Sequence, residues 1–238
     1  MITVQQLFNI LATGVYSNTA FSGTNSILKV EHYDKVINST NMGIVEIYKR
    51  FKLLENELVL CVVPEVTRYY LRADRVASVG QTTVDQYIEE NFSTDGFLNI
   101  IEVTGAYDTY GIELELNSIK CTPRIMQVAP DILQITNILS AQSIGIVYQS
   151  YPDKIVIDST FRPADYEINI PDTIIDPLVL YIAAKTFKPI GANDSTANAD
   201  KSASYEQQYE LACQKLSMYG LALQGADERD SFISNGWV

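Results

Sequence analysis

The hydrophobic period changes twice along this chain, and that change limits the fold more than any other feature. At the start, Val4, Leu7, Phe8 and Leu11 recur at helical spacing behind Thr3, and Gln6 stands three residues after Thr3 as in a capping box. Gly14 and the polar stretch 17–26 interrupt this pattern. Val36, Ile37, Ile44, Ile47, Tyr48 and Phe51 then mark one stripe of a second helix over about 31–51. Its last turn holds Lys49 and Arg50, where the helix dipole favours cations, while Asn41 and Gly43 are expected to kink or break its middle.

From Leu58 onward the spacing is that of strands. Residues 58–63 form a continuous apolar run ended by Pro64, expected to be a strand buried on both faces, with 66–72 as its hairpin partner. Residues 97–107 follow Gly96, 108–111 read as a turn, and 112–116 alternate strictly between apolar and acidic. Short strands at 125–128, 132–135 and 144–151 complete a β region of hairpins over 57–151. Helix returns over 173–187, where Ile174, Leu178, Tyr181, Ile182 and Phe187 line one side and Pro177 fits the first turn of a helix capped near Asp176. Residues 191–202 read as a polar loop, and a last helix runs to about Gly220 with Tyr205, Tyr209, Leu216 and Tyr219 on its buried face.

This order predicts an α+β fold. Terminal helix pairs, 1–55 and 171–225, form one bundle that carries a central antiparallel β insert of hairpins, 56–170, and 226–238 is a docking tail. A chain of 238 residues buries enough surface for a true core. No apolar run reaches the roughly 20 residues of a bilayer-spanning helix. No positive charge precedes the first apolar stretch, so no signal peptide is visible.

Charge narrows the partners. Seventeen Lys and Arg against 29 Asp and Glu leave a net charge of −12, which opposes general affinity for nucleic-acid phosphates or anionic lipid. Residues 76–120 hold Lys120 alone against eight carboxylates, among them Asp85, Glu89, Glu90, Glu113 and Glu115. Such a stretch serves as a solvated surface, or as a wall along which DNA slides without being gripped. Cys61, Cys121 and Cys213 are widely spaced with no C-x-x-C pair and read as reduced core thiols.

Local motifs assign no activity. The one histidine, His32, reads as a surface or capping residue, and no nucleophile elbow, H-E-x-x-H, P-loop or G-x-G-x-x-G occurs. No cofactor or metal is expected. Glu113 and Glu115 share a strand face, as a glycan hydrolase would need, yet the intervening Ile112, Leu114 and Leu116 explain them completely as the solvent side of an amphipathic strand, which is the expectation. Asp194, Asn198 and Asp200 offer oxygens to Ca²⁺ but lack the glycine and closing glutamate of an EF-hand, which leaves a connector. Fifteen tyrosines suit surfaces buried on assembly. At the end of the chain a charged run precedes Phe232, Ile233 and the only tryptophan, Trp237; this tail either folds back or docks into a neighbour, and docking is the expectation.

Three stretches resemble the head-to-tail adaptor (head-completion, neck or connector) proteins of tailed double-stranded DNA phages. Residues 44–53 (IVEIYKRFKL) look like the end of their second helix, and 146–152 (IVYQSYP) like the strand that closes their β insert. Ile170-Pro171-Asp172, then 178–187 (LVLYIAAKTF), a polar loop and 205–216 look like their C-terminal helix pair. The resemblance implies a virion structural protein without catalytic activity: a ring, commonly of twelve copies, beneath the portal, extending the DNA channel and carrying the tail. It implies as partners further copies of itself, the portal protein, the next ring or tail protein, and passing duplex DNA without sequence-specific binding, at the neck of the virion after assembly in the host cytoplasm. By position, Phe232, Ile233 and Trp237 become portal anchors, and Asp85, Glu89, Glu90, Glu113 and Glu115 a channel or tail-facing acidic surface. A second ring or a tail-tube-proximal protein of the same neck is the nearest alternative; a tail-associated glycan hydrolase using Glu113 and Glu115 is the more distant one.

Overall fold

The computed structural model describes residues 2–17, 19–23, 27–77, 82–89, 99–118, 120, 122–137, 142–158, 160–188 and 196–218. In chain order the elements are β1 (Ile2–Thr3), α1 (Val4–Thr13), α2 (Tyr33–Arg50), β2 (Glu55–Val62), β3 (Arg68–Tyr70), β4 (Val76–Ala77) and β5 (Ile88–Glu89). Then come β6 (Ile100–Tyr107), β7 (Arg124–Ala129), β8 (Ile132–Thr136), β9 (Gln142–Ser150), β10 (Glu167–Ile168), α3 (Asp172–Phe187) and α4 (Thr196–Met218). The fold is mixed α+β, and the chain divides into two compact units. One is Leu53–Asp153; the other is built from the chain before and after it, up to Lys52 and from Lys154.

In the helical unit, local chemistry sets the helix ends. Thr3 accepts from the Gln6 N–H and Gln6 reaches back to the Thr3 N–H, which completes the capping box at the start of α1. The next N–H groups, of Val4 and Gln5, are taken up by the carbonyls of Tyr166 and Pro163, beside the short β1–β10 pair. α2 is continuous from Tyr33 to Arg50, so the expected break at Asn41 and Gly43 does not occur. A Cβ on Gly43 would stand 2.8 Å from Leu178 Cδ1 and 2.9 Å from Tyr181 Cδ1, so the glycine lets α3 side chains pack directly on the α2 backbone. Asn41 points its amide away from its own helix: Nδ2 donates to the Ile155 carbonyl at 2.9 Å, and the Ile155 N–H donates to Oδ1 at 3.0 Å.

α3 is apolar on nearly every side, and it packs against α1, α2 and α4. It starts at Asp172, so Pro177 lies inside it, where a helix capped near Asp176 was expected. Without a proline N–H the Thr173 carbonyl loses its helical donor, a loss tolerated because Thr173 is exposed. α4 begins at Thr196, earlier than expected. The stretch 196–202 is helical, and Ser202 Oγ donates to the Ala184 carbonyl at 2.8 Å, tying its start to α3. Tyr209 and Cys213 carry its buried face, Tyr205 and Leu216 are half-buried, and Tyr219 lies outside the described residues. Tyr16 donates to Thr186 Oγ1 at 2.8 Å and Tyr48 to the Asn169 carbonyl, so these two phenols are satisfied inside the core, whereas the buried Tyr209 hydroxyl has no hydrogen-bond partner among the described residues.

In the unit Leu53–Asp153, a five-stranded sheet runs β4-β5-β2-β9-β6 and a three-stranded sheet runs β3-β8-β7. Both contribute to one apolar core, in which Leu58 faces Ile146 and Leu60 faces Ile144 across the β2–β9 pair, while Tyr69 faces Leu133 across β3–β8. Residues 66–72 therefore do not form a hairpin with β2. Pro64 cannot continue a ladder, and the Tyr69 hydroxyl both donates to the Val63 carbonyl and accepts from the Val63 N–H, turning the chain toward β8. β2 itself alternates: Leu58, Leu60 and Val62 are buried, whereas Val59 and Cys61 are only half-buried, so one face of it is in the core and not both. β2 pairs over its whole length with β9, more than 80 residues later, and β7–β8 is the hairpin among the described strands. Residues 112–116 make isolated bridges, Glu113 to Tyr107 and Leu116 to Ile125, and no continuous strand; Ile112, expected inward, is 62% exposed.

Candidate functional site

The acidic residues expected to form one surface occupy separate places on the five-stranded sheet. Asp85 lies in the turn before β5, where Thr83 Oγ1 accepts from the Gln86 N–H, and its carboxylate meets Arg75 Nη1 at 3.3 Å. Glu89 stands on β5, half-buried, and accepts from Cys61 Sγ at 3.1 Å. Burial first, and then this carboxylate, push the Cys61 thiol above its ordinary value, so it stays protonated. Glu113 and Glu115 are exposed and follow the Asp108 turn, in which Asp108 Oδ1 accepts from the Tyr110 and Ile112 N–H groups and Gly111 takes φ +78°. That turn hangs from β6, and β2 and β9 separate β6 from β5, which is about 14 Å at the usual strand spacing. Glu89 and Glu113 thus sit on different flanks of one sheet. Glu90, and the tail residues Phe232, Ile233 and Trp237, lie outside the described residues.

The remaining singled-out residues have structural tasks. His32 Nε2 lies 3.2 Å from the Ala20 carbonyl and its ring rests against Phe21, fastening the 19–23 loop to the start of α2. Asn198 and Asp200 are on α4, so the loop they were expected to share with Asp194 is helix at those positions, and Asp194 lies outside the described residues. Among the described residues no group of three or more His, Cys, Asp or Glu side chains is placed to hold a metal ion, and no helix is long and apolar enough to cross a membrane. Cys61 and Cys213 are free thiols; Cys121 lies outside the described residues.

Sequence reasoning missed the outward-facing apolar positions of the helical unit. Asn38, Asn41, Met42, Val45, Lys154 and Tyr181 line a groove of about 460 Å³ along α2, and the Asn41 clamp holds the extended stretch 154–157 beside it. Met42 is 56% and Val156 63% exposed. On α4, Ala203, Gln207, Leu211 and Met218 recur at helical spacing and are all exposed. The available signal was phase: Met42 and Leu211 fall off the apolar stripes that build the core.

No protein-family model matches this chain, and no curated protein matches it.

Proposed function

We propose that this protein is a ring-forming head-to-tail adaptor of a tailed double-stranded DNA phage, docking beneath the portal, extending the DNA channel and offering the tail its attachment site. The observation that carries the reading is the packing of α2 on α3. Helices that end before Leu53 and resume after Asp153 meet in one unit, and the β-rich unit interrupts them. This supports a terminal-helix bundle carrying a central β insert, the same segment order in which the sequence resembles such adaptors.

Charge adds a second support. The unit Leu53–Asp153 contains five Lys and Arg against fourteen Asp and Glu, a net of −9 out of −12 for the chain. A conduit for a polyanion works when its wall offers few phosphate contacts, because each Lys or Arg contact releases counterions and slows exit. The exposed carboxylates Asp85, on the β5 flank, and Glu113 and Glu115, beyond β6, are the proposed channel or tail-facing surface, together with half-buried Glu89 and, by sequence position alone, Glu90. The exposed apolar positions Met42, Val156 and Leu211 fit a subunit that closes heterologous contacts with its neighbours, about twelve in a ring. Phe232, Ile233 and Trp237 are the proposed portal anchors.

Cross-linking in purified particles tests the reading. The adaptor gives cross-links between this chain and the portal protein, and removal of residues 231–238 leaves capsids that fail to retain DNA or to attach tails. Infectious particles of normal yield from the truncated protein would remove the anchor, and an absence of the chain from particles would remove the adaptor itself.

A further inference from the structure

We propose that Lys35, Lys188 and Lys201 form a binding pocket for a phosphate group, either of a free oligophosphate or of a DNA end. They line a cavity of about 310 Å³ in the helical unit, and none of the described residues that line it is acidic. In a chain of net charge −12, three lysines lining one concave site, with no acidic residue among its described lining, run against the overall balance.

The floor of the pocket orders these cations. Phe21 and Phe187 meet edge to face with centroids 5.9 Å apart. The Lys35 ammonium stands 5.5 Å from the Phe21 centroid and the Lys201 ammonium 5.6 Å from that of Phe187. Rings that hold the lysine heads reduce the rotamer freedom lost when an anion arrives. Among the described residues none of the three lysines makes an ion pair, whereas Lys185, in the last turn of α3, pairs with Glu206 on α4. Hydroxyls at the rim are already engaged: Thr186 donates to the Ile182 carbonyl and Thr19 to that of Tyr16, which leaves the Asn198 carboxamide as the neutral donor facing the site.

The donor set selects phosphate over carboxylate. Lysine is a compact point charge that suits a tetrahedral oxyanion, whereas planar two-point recognition of a carboxylate is the work of arginine, and none of the described residues that line this cavity is arginine. Three positive charges also balance a phosphate or pyrophosphate better than a single carboxylate. This pocket is independent of the adaptor reading and stands or falls separately.

Calorimetric titration of the whole protein with pyrophosphate at constant ionic strength tests it. The unaltered protein binds one equivalent, and Lys35→Met combined with Lys201→Met, which keeps apolar stems over the rings, weakens binding at least about tenfold. Lys49→Met, in the exposed last turn of α2, leaves it unchanged. Two oligonucleotides, alike except for a 5′-phosphate or a 5′-hydroxyl, identify the source: binding of the phosphorylated one alone, displaced by pyrophosphate, assigns the site to a DNA end, and binding of pyrophosphate alone assigns it to a free oligophosphate. Absence of pyrophosphate binding, or equal binding by the double variant, overturns the proposal.

Discussion

In the helical unit a buried side chain finds its neighbours through helix faces, so α1 and α2 present stripes to an α3 that is apolar almost all round. In Leu53–Asp153 the same task falls to strand pairs that are distant in the chain, with β2 and β9 at the centre and β6 and β5 outside them. The two units also divide the charge unequally: Leu53–Asp153 carries most of the acidic excess, whereas the three lysines that line the pocket belong to the helical unit. The difference teaches that one chain can build one core from helix faces and another from distant strand pairs, and concentrate its acidic excess in the second.

Raising the pH should give the largest effect, and it discriminates between the units. Burial holds the phenols of Tyr16, Tyr48, Tyr148 and Tyr209 protonated past their ordinary value of 10.0; Tyr48 is pushed up to about 12, and Tyr16 and Tyr209 go higher still. The folded state then binds more protons than the unfolded chain above pH 10, so stability is intact below that point and is lost as pH rises. Alkaline titration followed by phenolate absorbance should show a cooperative late phase that coincides with unfolding, with Tyr16 and Tyr209 of the helical unit ionising last. Gradual ionisation without unfolding would contradict their burial.

Leu60→Ala comes next. Leu60 is fully buried on β2 opposite Ile144, and the cavity should cost about 2–5 kcal/mol in urea unfolding, with faster hydrogen exchange along β2 and β9. Asn41→Ala tests the helical side: it strips the buried Ile155 N–H and carbonyl of their partner and should cost about 1–3 kcal/mol, with Asn41→Asp, which keeps the acceptor, losing less. The smallest effect belongs to the ion pair of Arg50 with Glu210 at 2.8 Å, both partners partly exposed. A double-mutant cycle there should give no more than about 1 kcal/mol and should shrink in salt.

Legibility in the sequence followed the range of the interactions. The cap at Thr3 and the stripe from Val36 to Phe51 are local, and the residues alone disclosed them. The longer strands were readable too, although 112–116 makes only isolated bridges and the two-residue strands gave no signal, but partners were not: nothing near 66–72 states that Tyr69 will close on Val63 and send β3 to β8. Gly43 and Asn41 read as weaknesses in a lone helix because their reasons, α3 and Ile155, lie more than 100 residues away. The helical start of α4 hid behind small polar residues, although Ala197, Ala199 and Ala203 favour helix. Of the proposed surfaces, the acidic excess was visible in composition, but its division between two flanks needed the strand order. The lysine pocket, drawn from three separated segments, had no sequence signal.

Electron microscopy of the purified protein mixed with portal rings tests the central proposal most directly. A second ring of this chain, seated on the portal with an open axial channel, is the expected result. Portals left bare beside single, unassembled particles would contradict it.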